Sequence, residues 1–225
     1  MGFDSVMALS IALCCLKGGV GKSTLAIHIA SALHGDGHKV LLVDADEQRT
    51  AMTWANQAAS LGHDAPPVVS VTGAALAKTM LSLTEGYDVI IIDSPPRLGV
   101  EARAVMAVAS LIVVPVTPGA ADVWAAGHTV KLIEEARALR PGIKAVSVLN
   151  RSDRTSLAKG ARQGIEALGV PLLDATVGAR VALGEATLSG QGVCEYAPKS
   201  DAAREIRRLT KAMLAVLSAK SEVAA

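Results

Sequence analysis

The stretch "GGVGKS" at 18–23 constrains this chain more than any other feature, because it lies between an aliphatic run, "LSIALCC" (9–15), and an alanine-rich segment that opens at Ser23 and Thr24. A glycine turn in that setting aims backbone N–H groups and a helix N-terminus at one point, where they can surround phosphate oxygens. Lys22 would then neutralise the β- and γ-phosphates, and Ser23 would offer its hydroxyl to Mg²⁺. The usual pattern GxxxxGK[ST] is broken once, since its first glycine position holds Leu16, and a purely structural glycine turn is the alternative reading. The loop also carries a second lysine, Lys17, five positions before Lys22. Two ammonium groups in one small loop repel unless more negative charge lies between them.

The rest of the chain repeats one alternation. Besides 9–15, the runs "KVLLVDA" (39–45), "DVIIIDS" (88–94), "LIVVPV" (111–116) and "KAVSVLN" (144–150) read as strands, separated by longer segments with helical spacing. Runs apolar on both faces suit central parallel strands covered by helices, so the expected fold is α/β, a mostly parallel central sheet flanked by helices on both faces, of the P-loop NTPase kind. The first helix ends at "GDG" (35–37), the longest helical segment is 119–142, and an amphipathic helix runs from about 202 to 219. At 225 residues the chain is read as one domain, 1–225.

Composition narrows the function classes. Lys+Arg (22) and Asp+Glu (21) nearly cancel, so any nucleic-acid or membrane surface must be a local patch. Cys14, Cys15 and Cys194 form no CxxC pair, which disfavours both a secreted disulfide scaffold and an iron–sulfur carrier and points to a reduced, cytoplasmic compartment. The N-terminal segment has an acidic lead and runs straight into the glycine loop, so it is expected to be a first strand and not a signal peptide. No apolar run reaches the roughly 18 residues that span a bilayer; the mean hydropathy of +0.39 reflects alanine and valine in a buried sheet.

Three acids complete the candidate site. Asp44 and Asp46 stand two residues apart at the end of one strand, so in extended backbone both carboxylates point to one side. Asp93 closes a wholly apolar strand, as an acid of the Mg²⁺ shell would. Each alone could equally be a helix cap or turn residue. Together they occupy strand C-termini, where ligands bind in such sheets.

"KGGVGKST" (17–24), "VLLVDAD" (40–46) and "DVIIIDSPP" (88–96) together resemble the deviant Walker A, Walker A′ and Walker B motifs of the ParA/MinD family of ATPases. The likeness continues through "VVPVTPGAADVWAAG" (113–127), "LNR" (149–151) and "EYAPKSDAAREI" (195–206), and is nearest to the small ParA type without an N-terminal helix-turn-helix. The sequence departs from the usual motif at Leu16 and in "DADEQR", without removing a charged group the chemistry needs. The resemblance implies ATP and Mg²⁺ as cofactors and a homodimer in the ATP state. Its nucleotide cradle would be Lys17, Gly18, Gly19, Val20, Gly21, Lys22, Ser23 and Thr24. Lys17 would be the signature lysine reaching the facing subunit's phosphates, and Asp46 the acid associated with the attacking water. Asp93 would be the Walker B acid, with Asp44 helping to hold loop and metal. Asn150 matches the residue used on the adenine edge, or is a strand-end turn residue, and Pro198 lies in the segment that follows the base.

The same resemblance implies sequence-independent binding of double-stranded DNA through a basic face, here Lys199, Arg204, Arg207, Arg208, Lys211 and Lys220, with Arg180 as a further contact. It also implies nucleoid association and a ParB-like or cargo-adaptor partner that stimulates hydrolysis. Three readings compete: a partition or positioning ATPase on DNA, a MinD-like membrane-associated ATPase, and an iron–sulfur or nitrogenase-reductase relative. The ending "AKSEVAA", with Glu222 and no aromatic anchor, argues against stable membrane insertion.

Overall fold

A computed structural model of the chain describes residues 8–72, 75–83, 86–96, 99–153 and 155–219; the first seven residues, Lys220 and Glu222 lie outside them. Six parallel strands form one sheet: β1 (Leu9–Leu13), β2 (Val40–Asp44), β3 (Val68–Ser70), β4 (Val89–Asp93), β5 (Leu111–Val116) and β6 (Lys144–Leu149). Their order is β3-β2-β4-β1-β5-β6. Every residue of β2, β4 and β5 is buried, which is why those runs are apolar without alternation. β3 is the strand the sequence pattern does not announce. It is three half-buried residues on the sheet edge, too short to show a period.

The helices between strands are α1 (Lys22–Gly35), α2 (Thr50–Leu61), α3 (Ala75–Leu83), α4 (Val100–Val108) and α5 (Ala120–Leu139). After the last strand come α6 (Ser156–Glu166), α7 (Val181–Leu188), the one-turn α8 (Val193–Tyr196) and α9 (Asp201–Ser218). The helices divide the core into two layers. Ile11 and Leu13 of β1 face α1, α7 and α9 through Leu25, Ile29, Leu183, Ile206 and Met213. Ala12 and Cys14 face the opposite layer, built on Met80, Val105, Ile133 and Ile165 of α3 to α6. Two boundaries differ from the sequence expectation for local reasons. α5 stops at Leu139 because Arg140 precedes Pro141, which disfavours helical backbone there. α9 starts at Asp201 because the Ser200 hydroxyl accepts from the Ala203 amide at 3.1 Å.

A buried histidine joins three of these helices. His28 of α1 accepts the Val193 amide of α8 on Nδ1 (3.2 Å), which leaves Nε2 to donate to the Leu183 carbonyl of α7 (3.0 Å). Burial holds its pKa down at about 4, with the hydrogen bond to the Leu183 carbonyl opposing the shift. The unfolded chain takes up a proton near pH 6.5 and the folded chain only near 4. The stability His28 contributes is therefore complete above pH 6.5 and lost as pH falls to 4, a change of about 3 kcal/mol at most. Urea titrations of wild type and His28→Leu should show the steeper acid-side loss in wild type.

Candidate functional site

The C-terminal ends of the central strands are level. Leu13, Asp93 and Asp44 are register partners across β1, β4 and β2. Ser94 secures that edge, its buried hydroxyl donating to the Leu13 carbonyl at 2.7 Å. The glycine loop leaves the sheet here, between β1 and β5, where successive connections turn to opposite sides of the sheet. That is the position at which ligands bind in open α/β sheets.

The loop's shape depends on its glycines. Gly21 is the N-cap of α1 in left-handed backbone (φ 92°), and a Cβ there would lie 2.4 Å from the Asn150 amide nitrogen. Gly19 also has positive φ, 80°. These values suit glycine. Lys22 is buried, and its ammonium donates to the Lys17 carbonyl at 3.2 Å. Ser23 and Thr24 follow, half-buried, in the first turn of α1. Gly18 and Gly19 are exposed and Val20 is buried. Cys14, immediately before the loop, is no nucleophile: burial pushes its thiol up to about 12.

The three acids differ sharply. Asp93 is fully buried and neither carboxylate oxygen has a hydrogen-bond partner among the described residues. Desolvation raises its pKa to about 7; nearby Ser23 and Lys22 draw it down and Asp44 and Asp46 push it up. Asp44 is equally buried, yet both its oxygens are engaged, by the Asp46 amide (3.2 Å) and the Met52 amide (2.9 Å). Burial raises its pKa, while those backbone amides and that of Ala51 oppose the shift. Asp44 thus ties the start of α2 to β2. Asp46 stands half-buried at the mouth of a cleft with Glu47, Thr72, Pro95 and Glu101, and its carboxylate accepts the Gln48 amide at 3.1 Å.

An unpartnered buried carboxylate beside a lysine and a serine hydroxyl fits Mg²⁺. The ion takes one or two carboxylates together with substrate phosphates. Among the described residues no cluster of three or more His, Cys, Asp or Glu is placed to hold a metal alone. The donor set therefore suits a magnesium nucleotide: Ser23 and Asp93 would hold the metal, and Lys22 with the loop amides would hold the phosphates.

The profile of the CbiA family, the CobQ/CobB/MinD/ParA nucleotide binding domain, matches residues 11–193. The chain belongs to this CobQ/CobB/MinD/ParA family. It is 31% identical over 205 residues to the Maintenance of carboxysome distribution protein A of Halothiobacillus neapolitanus, covering 90% of this chain and 94% of that one. It is 30% identical over 236 residues to the chromosome-partitioning ATPase Soj of Thermus thermophilus, covering 91% and 95%. In fold it is similar to the cell division ATPase MinD of Pyrococcus furiosus, with TM-score 0.77, 22% identity, and 93% and 100% of the two chains covered. The six-stranded parallel sheet is that of the MinD/ParA members of the CobQ/CobB/MinD/ParA family.

Other candidate residues do not all gather at the loop. Asn150 does: it is buried at the end of β6 and its amide donates to the Val20 carbonyl at 2.7 Å. It also lines a cleft with Gly21, Thr24, Gly178 and Arg180, so it braces the loop and borders the space beside it. Pro198 does not. Its carbonyl accepts Arg207, which also binds the Cys194 carbonyl, and Cys194 and Arg207 line a cavity with the last turn of α1. The 14 residues of α1, about 20 Å of helix, separate that cavity from the loop.

The basic face is partly neutralised. Arg180 binds Glu205 through Nε (3.2 Å) and a terminal nitrogen (2.6 Å), with Asp201 at 4.0 Å. Arg204 pairs with Asp201 and also donates to the Lys199 carbonyl at 2.6 Å. Lys199, Arg208 and Lys211 are exposed and have no acidic partner among the described residues. Two residues that sequence reasoning missed grip the front of the loop from α5. The Leu16 amide donates to Thr129 Oγ1 at 3.2 Å, and Lys17 pairs with Asp122. Asp122 stands in the quoted stretch "PGAADVW", but only the fold brings it across 105 positions to Lys17.

Proposed function

We propose that this chain hydrolyses ATP with Mg²⁺ and works as a partition or positioning ATPase. In this reading it forms a homodimer in the ATP state and binds nucleoid DNA without sequence preference. It segregates a plasmid or chromosome region, or positions a protein cargo, and a ParB-like or adaptor partner stimulates hydrolysis. The observation that carries the ATPase part is Asp93, a buried carboxylate without partners, level with the loop that holds Lys22 and Ser23. Phosphoryl transfer asks the protein for positioned charge and a placed water, so these side chains suffice. Lys22 and the loop amides bind the phosphates, and Asp46 orients the attacking water from the cleft mouth. The positioning role is supported by the relatives that carry it in their names, a carboxysome-distribution protein and a chromosome-partitioning ATPase. Action in the cytoplasm on the nucleoid belongs to the same reading.

A MinD-like membrane role has less support. Ile206, Leu209 and Met213 of the apolar stripe of α9 are fully buried, and Leu214, Val216 and Leu217 are partly packed against the same core, which leaves that helix little apolar surface for lipid. Among the described residues no helix is long and apolar enough to cross a membrane.

The DNA arm rests on Lys199, Arg208 and Lys211, exposed cations without acidic partners, and on Arg207, whose guanidinium donates only to the Pro198 and Cys194 carbonyls. Arg208→Ala with Lys211→Ala should weaken ATP-dependent retardation of duplex DNA of any sequence. The slope of log affinity against log salt should fall by roughly 1 for each phosphate contact removed. Arg204→Ala should matter less, since Asp201 already neutralises that guanidinium. Gel-shift titrations at several salt concentrations check this; equal retardation by the ADP and ATP forms would count against the reading.

A further inference from the structure

Two clefts flank the glycine loop, and their charges differ. The cleft at Asp46 is also lined by Glu47 and Glu101, so it carries three carboxylates. The other reaches Gly21 and Thr24 at the start of α1 and is lined by Asn150, Arg151 and Arg180, with no carboxylate. A phosphate chain held at the loop is repelled on the first side and attracted on the second, so the second cleft is the one open to the rest of a nucleotide. One wall of that cleft is the segment 178–180. Just before it the chain is held by β6: the Val177 amide donates to the Leu149 carbonyl at 3.0 Å, and the Ser152 amide to the Val177 carbonyl at 3.0 Å. At Gly178 the partner is instead Glu205 of α9. Its Oε2 accepts the Gly178 amide at 2.9 Å and Arg180 Nε at 3.2 Å, and its Oε1 accepts a terminal nitrogen of Arg180 at 2.6 Å. The guanidinium lies over Gly178, where an added Cβ would stand 2.7 Å from Arg180 Nε. The Glu205 side chain is only 19% exposed, and its helix is fixed next to it by the buried Ile206 and Leu209.

We propose that Glu205 is a positioning residue for nucleotide binding: it holds the segment 178–180 as the wall of the cleft that takes the nucleoside, and touches no part of the nucleotide itself. This rests on the reading of the loop as a nucleotide cradle. Fixing a loose wall only when the ligand arrives costs conformational entropy at that moment, and a wall fixed beforehand spares binding that cost. A backbone amide and a forked guanidinium on one carboxylate are the stronger kind of hydrogen bond, because the acceptor is charged. The ion pair alone contributes little, since the Arg180 side chain is 40% exposed. The bond that fixes backbone is the one from the Gly178 amide, made to the shielded carboxylate. The phosphate cradle does not depend on Glu205. Its loop is braced separately, by Asn150 at the Val20 carbonyl and by Thr129 at the Leu16 amide. Loss of Glu205 therefore acts on the nucleoside half of the ligand and spares the phosphate half.

Calorimetric titrations with ADP and with pyrophosphate, each in Mg²⁺, test this. Glu205→Ala should bind ADP about five- to twentyfold more weakly than wild type, with pyrophosphate affinity within about twofold, because pyrophosphate fills the cradle alone. Glu205→Gln keeps an acceptor for the Gly178 amide and loses the charge, so its ADP affinity should fall between those of wild type and Glu205→Ala. That variant carries the test if Glu205→Ala binds neither ligand. A general loss of structure weakens both ligands together, and that result in Glu205→Gln overturns the proposal. Unchanged ADP affinity in Glu205→Ala overturns it too, as does tighter pyrophosphate binding, which would place a released Arg180 on the phosphates. A wild type that binds ADP no better than pyrophosphate overturns the nucleoside cleft and leaves the cradle standing. A wild type that binds neither overturns the cradle reading and this proposal with it.

Discussion

Asp93→Asn is expected to abolish ATP turnover and, in the nucleotide-free protein at pH 8, to raise stability. The folded chain keeps the Asp93 proton up to about pH 7, whereas the unfolded chain releases it near 3.8. The stability this group permits is complete below pH 3.8, falls as pH rises through 7, and stays low beyond, by about 4 kcal/mol as an upper bound. Asparagine removes that charge at nearly constant volume but leaves a buried amide to satisfy, which costs about 1–3 kcal/mol. The net gain at pH 8 is therefore at most about 1–3 kcal/mol. His28 acts with the opposite sign, its contribution growing from pH 4 to 6.5. In wild type the two slopes oppose each other across that window. Asp93→Asn removes the falling slope of Asp93 and keeps the rising one of His28, so stability should climb more steeply from pH 4 to 6.5. Denaturant midpoints across this range, with phosphate release as the activity readout, check both parts. A variant less stable than wild type at pH 8 would show that Asp93 is satisfied in the nucleotide-free protein. Magnesium and ATP should narrow or reverse the difference, because ligand binding stabilises only the chain that can hold the pair.

The contrast between Asp93 and Asp44 shows where sequence reading stops. Both close an apolar strand, and in the sheet they are direct register partners. What separates them is the start of α2, whose Met52 amide occupies Asp44, while no backbone amide reaches Asp93 and the Ser23 hydroxyl only stands near it. No local pattern fixes that helix start, because Arg49 precedes it in left-handed backbone and offers no side-chain cap. The strands were legible for the converse reason. β2, β4 and β5 are buried on both faces, so their composition alone marks them, while the half-buried β3 has no such mark. The apolar stripe of α9 was likewise readable, and Ile206, Leu209 and Met213 are all buried. Its basic face was not readable as a charge, since Asp201 and Glu205 cancel Arg204 and Arg180, the latter from 25 positions away. The partner of Lys17 is the extreme case: one acid among 21, selected only by the packing of α5 on the loop.

A mixture of Lys17→Ala and Asp46→Ala subunits is expected to recover ATPase activity that neither variant has alone. Within one subunit Lys17 is turned toward α5 and away from Lys22, so its useful reach is outward, and a positive charge delivered across an interface can stabilise the phosphoryl-transfer transition state. Asp46 lies in the cleft of its own subunit, beside Thr72 and Pro95. If the lysine acts on the facing subunit, a mixed dimer contains one complete site, made from the Asp46 of the Lys17→Ala chain and the Lys17 of the Asp46→Ala chain. At equal mixing half of the dimers are mixed, and each has one working site, so the activity should approach roughly a quarter of wild type. A lysine acting within its own subunit gives no complete site in any combination. Asp46→Ala alone should still bind ATP and dimerise, since it loses the placement of water and keeps the phosphate contacts. Size-exclusion runs in ATP with differently tagged chains establish that mixed dimers form. Mixed dimers without ATPase recovery would rule out delivery of Lys17 to the facing subunit.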